Sequence, residues 1–457
     1  MNGHDQRSDP ACPCLVARDS PYTPVRVVEL DLDEPGEPRS PGHPRPGAPD
    51  GRVLALVRLH GHPLGLVTAT DAPGDPAGLR RTLVDAAQRE LAGPLARHRA
   101  ADAMAAGALP LTGLPQLTGV RPCRARRTQV LADPPSVSVV IATHNRVGLL
   151  RSCLDSVLRT GYPRLDVLVV DNAPENDDAQ ALIRRRYPGR VRYLREPVAG
   201  LARAHNRALA AVRGRITAFT DDDTLVDRDW PVALAEAFAA DERIGCVTGL
   251  ILPAELETRT QAELQQHGGY DKGFTARRWS LADPPADPLF PFTAGRFGSG
   301  ANMAFRTDLL RRLRGFDPAT GTGTPARGGD DLLGFLRVLT AGAVLGYRPD
   351  AIVWHHDSRV PQALPAQAFG YGTGFGAFLA AAVAREPELL PALARRLPGG
   401  LHYAAARRRP GNTGPGGPDW SRRLALLELE GLFYGPLGYL RSRRQERRLR
   451  SAEPSTS

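Results

Sequence analysis

Between residues 137 and 223, four runs rich in β-branched residues alternate with three amphipathic stretches, and this alternation constrains the fold more than any other feature. VSVVIA (residues 137–142) is continuously apolar, as a parallel strand buried on both faces must be. RVGLLRSCLDSVLRT follows, with Leu150, Leu154, Val157 and Leu158 at helical spacing. LDVLVVDN, AQALIRRRY, VRYLRE, GLARAHNRALAAVRG and ITAFTDDD continue the alternation of strand and helix. The expected fold class is α/β, a doubly wound mixed sheet, mostly parallel and built of right-handed crossovers. In such sheets ligands bind beyond the carboxyl ends of the strands.

The polar strand endings become interpretable on that rule. The first strand ends at Thr143-His144-Asn145, the second at Asp171-Asn172 and the fourth at Asp221-Asp222-Asp223. Each alone could cap the next helix or turn. Three on one rim, one of them a triple carboxylate, point to a binding site. Hard divalent cations such as Mg²⁺ and Mn²⁺ take carboxylate and phosphate oxygens. In a D-x-D at a strand end, Asp221 and Asp223 reach the same side while Asp222 turns away. Asp171 is placed to accept hydrogen bonds from a base or ribose. Arg203 either offers its planar fork to a nucleotide or is a solvated helix arginine.

Further along, GGDDLLGFLRVLTAG (residues 328–342) opens a helix on two carboxylates. The free N–H groups and dipole of a helix N-terminus favour an ionised carboxylate. Asp331 is thereby suited to take a proton from an acceptor hydroxyl, unless Asp330 and Asp331 serve only as caps. His355 ends an apolar strand, as a metal ligand on the carboxylate rim or as a packed core residue.

The ordered set VSVVIATHNRVGLLRSCLDSVL, VLVVDN, GLARAHNRAL and ITAFTDDD resembles the nucleotide-sugar domain of family 2 glycosyltransferases, of GT-A fold. Residues 297–323, 328–342 and 349–359 resemble the family's acceptor-side segment, acid pair and closing strand, so the likeness covers about residues 136–360. The resemblance implies an inverting, metal-dependent transfer from a nucleotide-diphosphate sugar to a glycan, lipid or small-molecule acceptor, as in polysaccharide or cell-envelope synthesis. It places Thr143, Asn145 and Asp171 on the nucleoside, and Asp221 and Asp222 at the donor. Asp221 and Asp223 hold Mn²⁺ or Mg²⁺ with the diphosphate, and His355 or its neighbour His356 completes the metal site. Asp331 is the implied base, with Asp330 where the family most often has Glu. The chain departs from the family in Asp-Asn-Ala-Pro after the second strand, in place of Asp-Asp-Gly-Ser, and in His205-Asn206, in place of Arg-Asn. A nucleotidyltransferase would need a glycine-rich loop after the first strand, and ATHNR has no glycine. A binding module without catalysis would have no use for the second acid pair.

The rest of the 457 residues is less eloquent. The formal charge of +10 is spread along the chain and almost entirely arginine, which argues against nucleic-acid binding. Five scattered cysteines, with no partner pair at zinc-ligand spacing, read as reduced thiols. Residues 1–24 and 451–457 read as disordered, 25–105 as a small α+β accessory domain in which nothing clusters as chemistry, and 106–135 as a linker. Residues 361–450 form a helical extension with a basic end. Its apolar-aromatic and arginine-rich stretches either pack on the catalytic domain or lie on an anionic membrane surface. With a polar first twenty residues and no spanning run, the expected location is cytoplasmic, peripheral at the inner face of the membrane.

Overall fold

The computed structural model describes residues 22–42, 51–70, 75–102, 121–268, 270–396 and 417–452. Most of both chain ends, residues 106–120 of the expected linker and residues 397–416 of the expected helical extension lie outside the described residues.

A three-stranded sheet comes first: β1 (Arg26–Asp31) runs parallel to β2 (Arg52–Leu59), which forms a hairpin with β3 (His62–Thr70). The hairpin turns on His60 and Gly61, both with positive φ (55° and 83°), the conformation its right-handed twist requires. Helices α1 (Pro76–Glu90) and α2 (Ala92–Ala101) follow, α1 capped by the Asp75 carboxylate on Gly78 N–H. Where the sequence suggests linker, α3 (Pro122–Ala132) forms instead. Pro122 suits a first helical turn, and Arg127 is drawn to Asp229 and Glu236, partners invisible in the local sequence.

The second unit alternates as expected through β4 (Val137–Thr143), α4 (Val147–Arg159), β5 (Leu165–Asn172), α5 (Asp178–Arg186), β6 (Val191–Glu196), α6 (Leu201–Ala211) and β7 (Ile216–Asp221). It continues with β8 (Thr224–Val226), α7 (Trp230–Ala240), β9 (Ile244–Pro253), α8 (Arg259–Gly268), β10 (Arg277–Trp279), β11 (Asn302–Arg306), α9 (Thr307–Arg312), α10 (Asp330–Thr340) and β12 (Val344–His355). The nine-stranded sheet has the order β10-β12-β9-β11-β7-β4-β5-β6, with β8 paired to β12. β6, β5, β4 and β7 are mutually parallel, whereas β11 runs antiparallel to both β7 and β9. Leu150, Leu154 and Val157 of α4 are buried on one face of the sheet, and Ala204 and Ala208 of α6 on the other.

The small sheet shares a core with the large one. Val25, Val27, Leu54 and Leu56 pack on Leu225, Leu250, Ile352 and Trp354. The fully buried Arg58 reaches across to Asp227 at 2.5 Å, and His62 to Asp350 at 2.6 Å.

Two long helices, α11 (Ala363–Arg385) and α12 (Gly417–Ala452), close the chain and pack on each other. Glycines make that approach feasible: a Cβ at Gly372 or Gly376 would collide with the carbonyl oxygens of Glu428 and Leu432. Gly372 and Gly376 of FGYGTGFGAF thus have a packing role. α12 still leaves Leu426, Phe433, Leu437 and Leu440 exposed. Among the described residues no helix is long and apolar enough to cross a membrane.

Candidate functional site

Register places the strand ends side by side: Thr143 of β4 lies opposite Asp171 of β5, and Ala142 lies opposite Asp221 of β7. A cavity of about 3160 Å³ opens beside this rim, lined by Asp221, Ser299–Ala301, Asp330 and Asp331 and, across it, by α11 and α12.

The three aspartates divide their work. Asp222 is wholly buried, accepting the Thr143 hydroxyl at 2.7 Å and pairing with Arg146 at 2.7 Å. Burial outweighs Arg146 and pushes its carboxyl up to about 6. Asp222 and Thr143, both expected at the nucleotide, thus spend their side chains on each other. Arg146, which sequence reasoning missed, also holds Asp223 Oδ2 at 2.7 Å. Asp223 Oδ1 is buried, accepts no hydrogen bond and lies 3.5 Å from His355 Nε2. Burial, then the charge on Asp223, push Asp221 up to about 7.

β12 delivers His355 because its end pairs with Thr224 of β8, while His356 N–H donates to Asp223 O. His355 faces Asp223, whereas His356 sits 3.6 Å from Glu255, which separates two neighbours the sequence leaves equivalent. Asp357 holds His355 Nδ1 at 2.9 Å. Burial pulls the His355 imidazole down, but Asp357 and the charges of Asp223 and Asp221 outweigh it and raise it to about 9. The Tyr270 ring lies 5.3 Å from that imidazole, and its hydroxyl meets Tyr371 of α11 at 2.8 Å.

Asp171 is buried and accepts the Tyr193 hydroxyl at 2.9 Å; burial raises its carboxyl. Asn145 takes a positive φ of 55°, and its side-chain oxygen accepts Glu175 N–H. Arg203 is committed elsewhere: its guanidinium grips Glu446 of α12 in two bonds of 2.5 and 2.8 Å, so the fork expected at a nucleotide joins the tail to the sheet domain. His205 and Asn206 are structural as well. His205 is packed against Phe219 and Phe316 and driven to about 3 by burial, and Asn206 caps the Phe316 backbone.

The acid pair begins α10, whose N-cap Gly329 is left-handed at φ 86°. Asp330 turns inward, 3.8 Å from His205, and burial with the neighbouring Asp331 charge pushes it up to about 8. Burial thus favours its protonated form. Asp331 is more exposed, lines the cavity and accepts N–H bonds from Gly300 at 2.9 Å and Leu332 at 2.8 Å. Burial raises this carboxyl, while those N–H groups oppose the shift by favouring its charge.

The residues on the rim fit a hard cation in part. A buried carboxylate oxygen that accepts no hydrogen bond and faces an imidazole nitrogen at 3.5 Å offers two neighbouring ligands. No group of three ligating side chains on this rim converges within 4.8 Å among the described residues. The other ligand positions would fall to diphosphate oxygens, water or a shifted Asp221.

Residues 138–314 match the family model described as glycosyl transferase family 2. Similar curated proteins include the glycosyltransferase GlyA of Streptococcus pneumoniae, 27% identical over 24% of this chain and 16% of its own length. The putative glycosyltransferase EpsH of Bacillus subtilis is 26% identical over 21% of this chain and 29% of its own length. For the chondroitin synthase of Pasteurella multocida the figures are 27%, 25% and 12%. The chain thus matches less than a third of the length of each of these relatives. Among solved structures, the mannosyltransferase PcManGT from Pyrobaculum calidifontis, in complex with GDP-Man and Mn²⁺, is 22% identical with a TM-score of 0.42, covering 69% of this chain and 92% of that one.

Proposed function

On the premise that residues 138–314 are a family 2 glycosyltransferase domain, we propose that the chain transfers a sugar, with inversion, from a nucleotide-diphosphate donor to an acceptor hydroxyl. The observation that carries the reading is the division of carboxylates around one cavity: Asp223 with His355 on the strand rim, and Asp331 on the helix start.

In this reading Asp171 and Asn145 flank the nucleoside at the ends of β4 and β5. Asp223 and His355, with Asp221, would hold Mn²⁺ or Mg²⁺. Such an ion, when bound, stabilises the charge that develops on the leaving diphosphate. Arg146 and Thr143 fix the triple carboxylate from behind, and Asp357 fixes the ring of His355. Asp331 is the base. It takes the proton of the acceptor hydroxyl as that oxygen forms its bond to the anomeric carbon, and the bond from that carbon to the diphosphate oxygen breaks with its electron pair. Burial favours the protonated form of Asp330, and the N–H groups of Gly300 and Leu332 favour the charge on Asp331, so Asp331 is the charged member of the pair in this reading.

The acceptor class we propose is a glycan, lipid-linked or small hydroxyl compound reaching Asp331 through the cavity under α11 and α12. Exposed Phe433, Leu437 and Leu440, followed by an arginine-rich helix end, support peripheral contact with an anionic membrane.

The test is thermal stability with UDP, GDP, dTDP and CDP, each with Mn²⁺ and with EDTA, since a ligand that binds only the folded chain raises its apparent stability. A shift with one nucleotide that needs metal is expected. No shift with any of them, together with no nucleoside diphosphate released from nucleotide sugars, would overturn the reading.

A further inference from the structure

The accessory unit, in which the sequence shows no cluster of chemistry, holds the one group of three or more ligating side chains that converges within 4.8 Å among the described residues: His60, His98, Asp102 and Cys123. They come from separate elements. His60 sits at the hairpin turn between β2 and β3, His98 and Asp102 lie one helical turn apart at the end of α2, and Cys123 is at the start of α3.

Three ligand atoms crowd around His60 Nδ1: Asp102 Oδ2 at 2.7 Å, His98 Nε2 at 3.2 Å and Cys123 Sγ at 3.5 Å. His98 Nε2 and Asp102 Oδ2 are themselves 3.5 Å apart. A ring nitrogen has one site, for a proton or for an ion. With the proton on Nδ1, the other nitrogen of this fully buried imidazole is bare, and Nε2 is indeed buried without a hydrogen-bond partner. With a cation on Nδ1, the proton moves to Nε2, which faces Asp33 Oδ1 at 3.9 Å. A carboxylate behind a ligating imidazole is the usual device that fixes its tautomer and orientation. Asp33 Oδ1, which also takes Arg121 at 3.1 Å, lies beyond hydrogen-bond distance and would close on Nε2 when the site is loaded.

We propose that His60, His98, Asp102 and Cys123 form a structural zinc site that fastens the accessory unit to the sheet domain. Two imidazole nitrogens, one thiolate and one carboxylate suit tetrahedral Zn²⁺, and the two anionic ligands neutralise the ion in a buried place. Bonds of about 2.0–2.3 Å place tetrahedral ligands about 3.3–3.8 Å apart, so the cluster needs to open only slightly. Four protein ligands close the shell, which makes the site structural rather than catalytic. Its mechanical position is informative. The hairpin that carries His60 also sends Arg58 to Asp227 and His62 to Asp350, and α3, which carries Cys123, sends Arg127 to Asp229 and Glu236. Tying hairpin, α2 and α3 together would hold every one of those cross-unit pairs in register. Asp350 lies in β12, the strand that ends at His355.

The test uses the full chain, expressed with zinc and dialysed against metal-free buffer, with zinc measured by mass spectrometry. About one tightly held zinc per chain is expected in the wild type and in Asp223→Ala, and a loss of at least about tenfold in zinc retention in His98→Ala and Cys123→Ser. Co²⁺ added to the zinc-stripped wild type should give a thiolate-to-cobalt charge-transfer band that is absent in Cys123→Ser. Zinc retained by His98→Ala and Cys123→Ser but lost from Asp223→Ala would move the ion to the catalytic rim and overturn the proposal. A folded wild type with neither zinc nor the cobalt band would overturn it too, and that measurement decides even if a variant does not fold. Nucleotide binding is not read in either assay, so failure here leaves the transfer reading untouched.

Discussion

Asp331→Asn is the sharpest perturbation of the proposed chemistry, because it removes basicity while nearly preserving shape. Asp331 accepts N–H bonds at both carboxylate oxygens, from Gly300 at 2.9 Å and Leu332 at 2.8 Å. An asparagine keeps its oxygen on one of these donors and turns an NH₂ group toward the other. One hydrogen bond is lost, worth about 1 kcal/mol of stability, which for a chain of this size is a small drop in Tm. Removal of a positioned general base costs roughly 10²–10⁴ in rate, about 3–5 kcal/mol of barrier. The two effects are therefore separable. The assay is release of nucleoside diphosphate at saturating donor, paired with calorimetric titration of the donor nucleotide. We expect kcat to fall by at least about a hundredfold with donor Kd changed by less than about threefold. Turnover within about threefold of wild type would remove Asp331 from the mechanism. Equal collapse of binding and turnover would make it a structural cap.

Asp330→Asn is expected to behave oppositely. The folded-state carboxyl is raised to about 8 from an ordinary value near 4, so its contribution to stability is fully present below pH 4 and is lost as pH rises through 8. The variant, a neutral mimic, should match wild type in unfolding free energy at pH 4 and exceed it at pH 9, by up to about 5 kcal/mol at about 1.4 kcal/mol per pKa unit; no gain at pH 9 in denaturant unfolding contradicts the burial argument. His355→Ala should weaken Mn²⁺ binding to the nucleotide complex more than Asp357→Asn, for which about tenfold is expected, both read by Mn²⁺ paramagnetic resonance. An unchanged Mn²⁺ affinity in His355→Ala would leave the imidazole a packing residue. Arg203→Ala and Glu446→Ala should each lower Tm, with a coupling of about 1–2 kcal/mol in a double-mutant cycle and nucleotide Kd within about twofold of wild type. A tenfold loss of nucleotide affinity in Arg203→Ala alone would return that arginine to the donor site.

How much of this was legible follows from the range of each interaction. The strands and helices from Val137 to Asp223 were readable because a parallel strand must be apolar throughout and its polar ending must fall on the sheet's ligand edge; that is local periodicity plus one topological rule. Asp331 was readable because a carboxylate after two glycines, opening an apolar helix, has a local electrostatic reason to be there. The alternation of Asp221, Asp222 and Asp223 was half readable. The pleat turns Asp222 inward, but its partners Thr143 and Arg146 come from another strand end.

What the sequence by itself determined is the α/β sheet, the carboxylate rim and the acid pair, since each rests on residues close together in the chain. Tertiary structure alone decided the rest. It turned His355 rather than His356 towards Asp223 through the pairing of β12 with β8, and it gave Arg203 to Glu446, 243 residues away. It also gathered His60, His98, Asp102 and Cys123 from a turn and two helices. Pairings over such separations carry no periodicity and no spacing, because which surfaces meet depends on how whole elements pack rather than on any residue's neighbours.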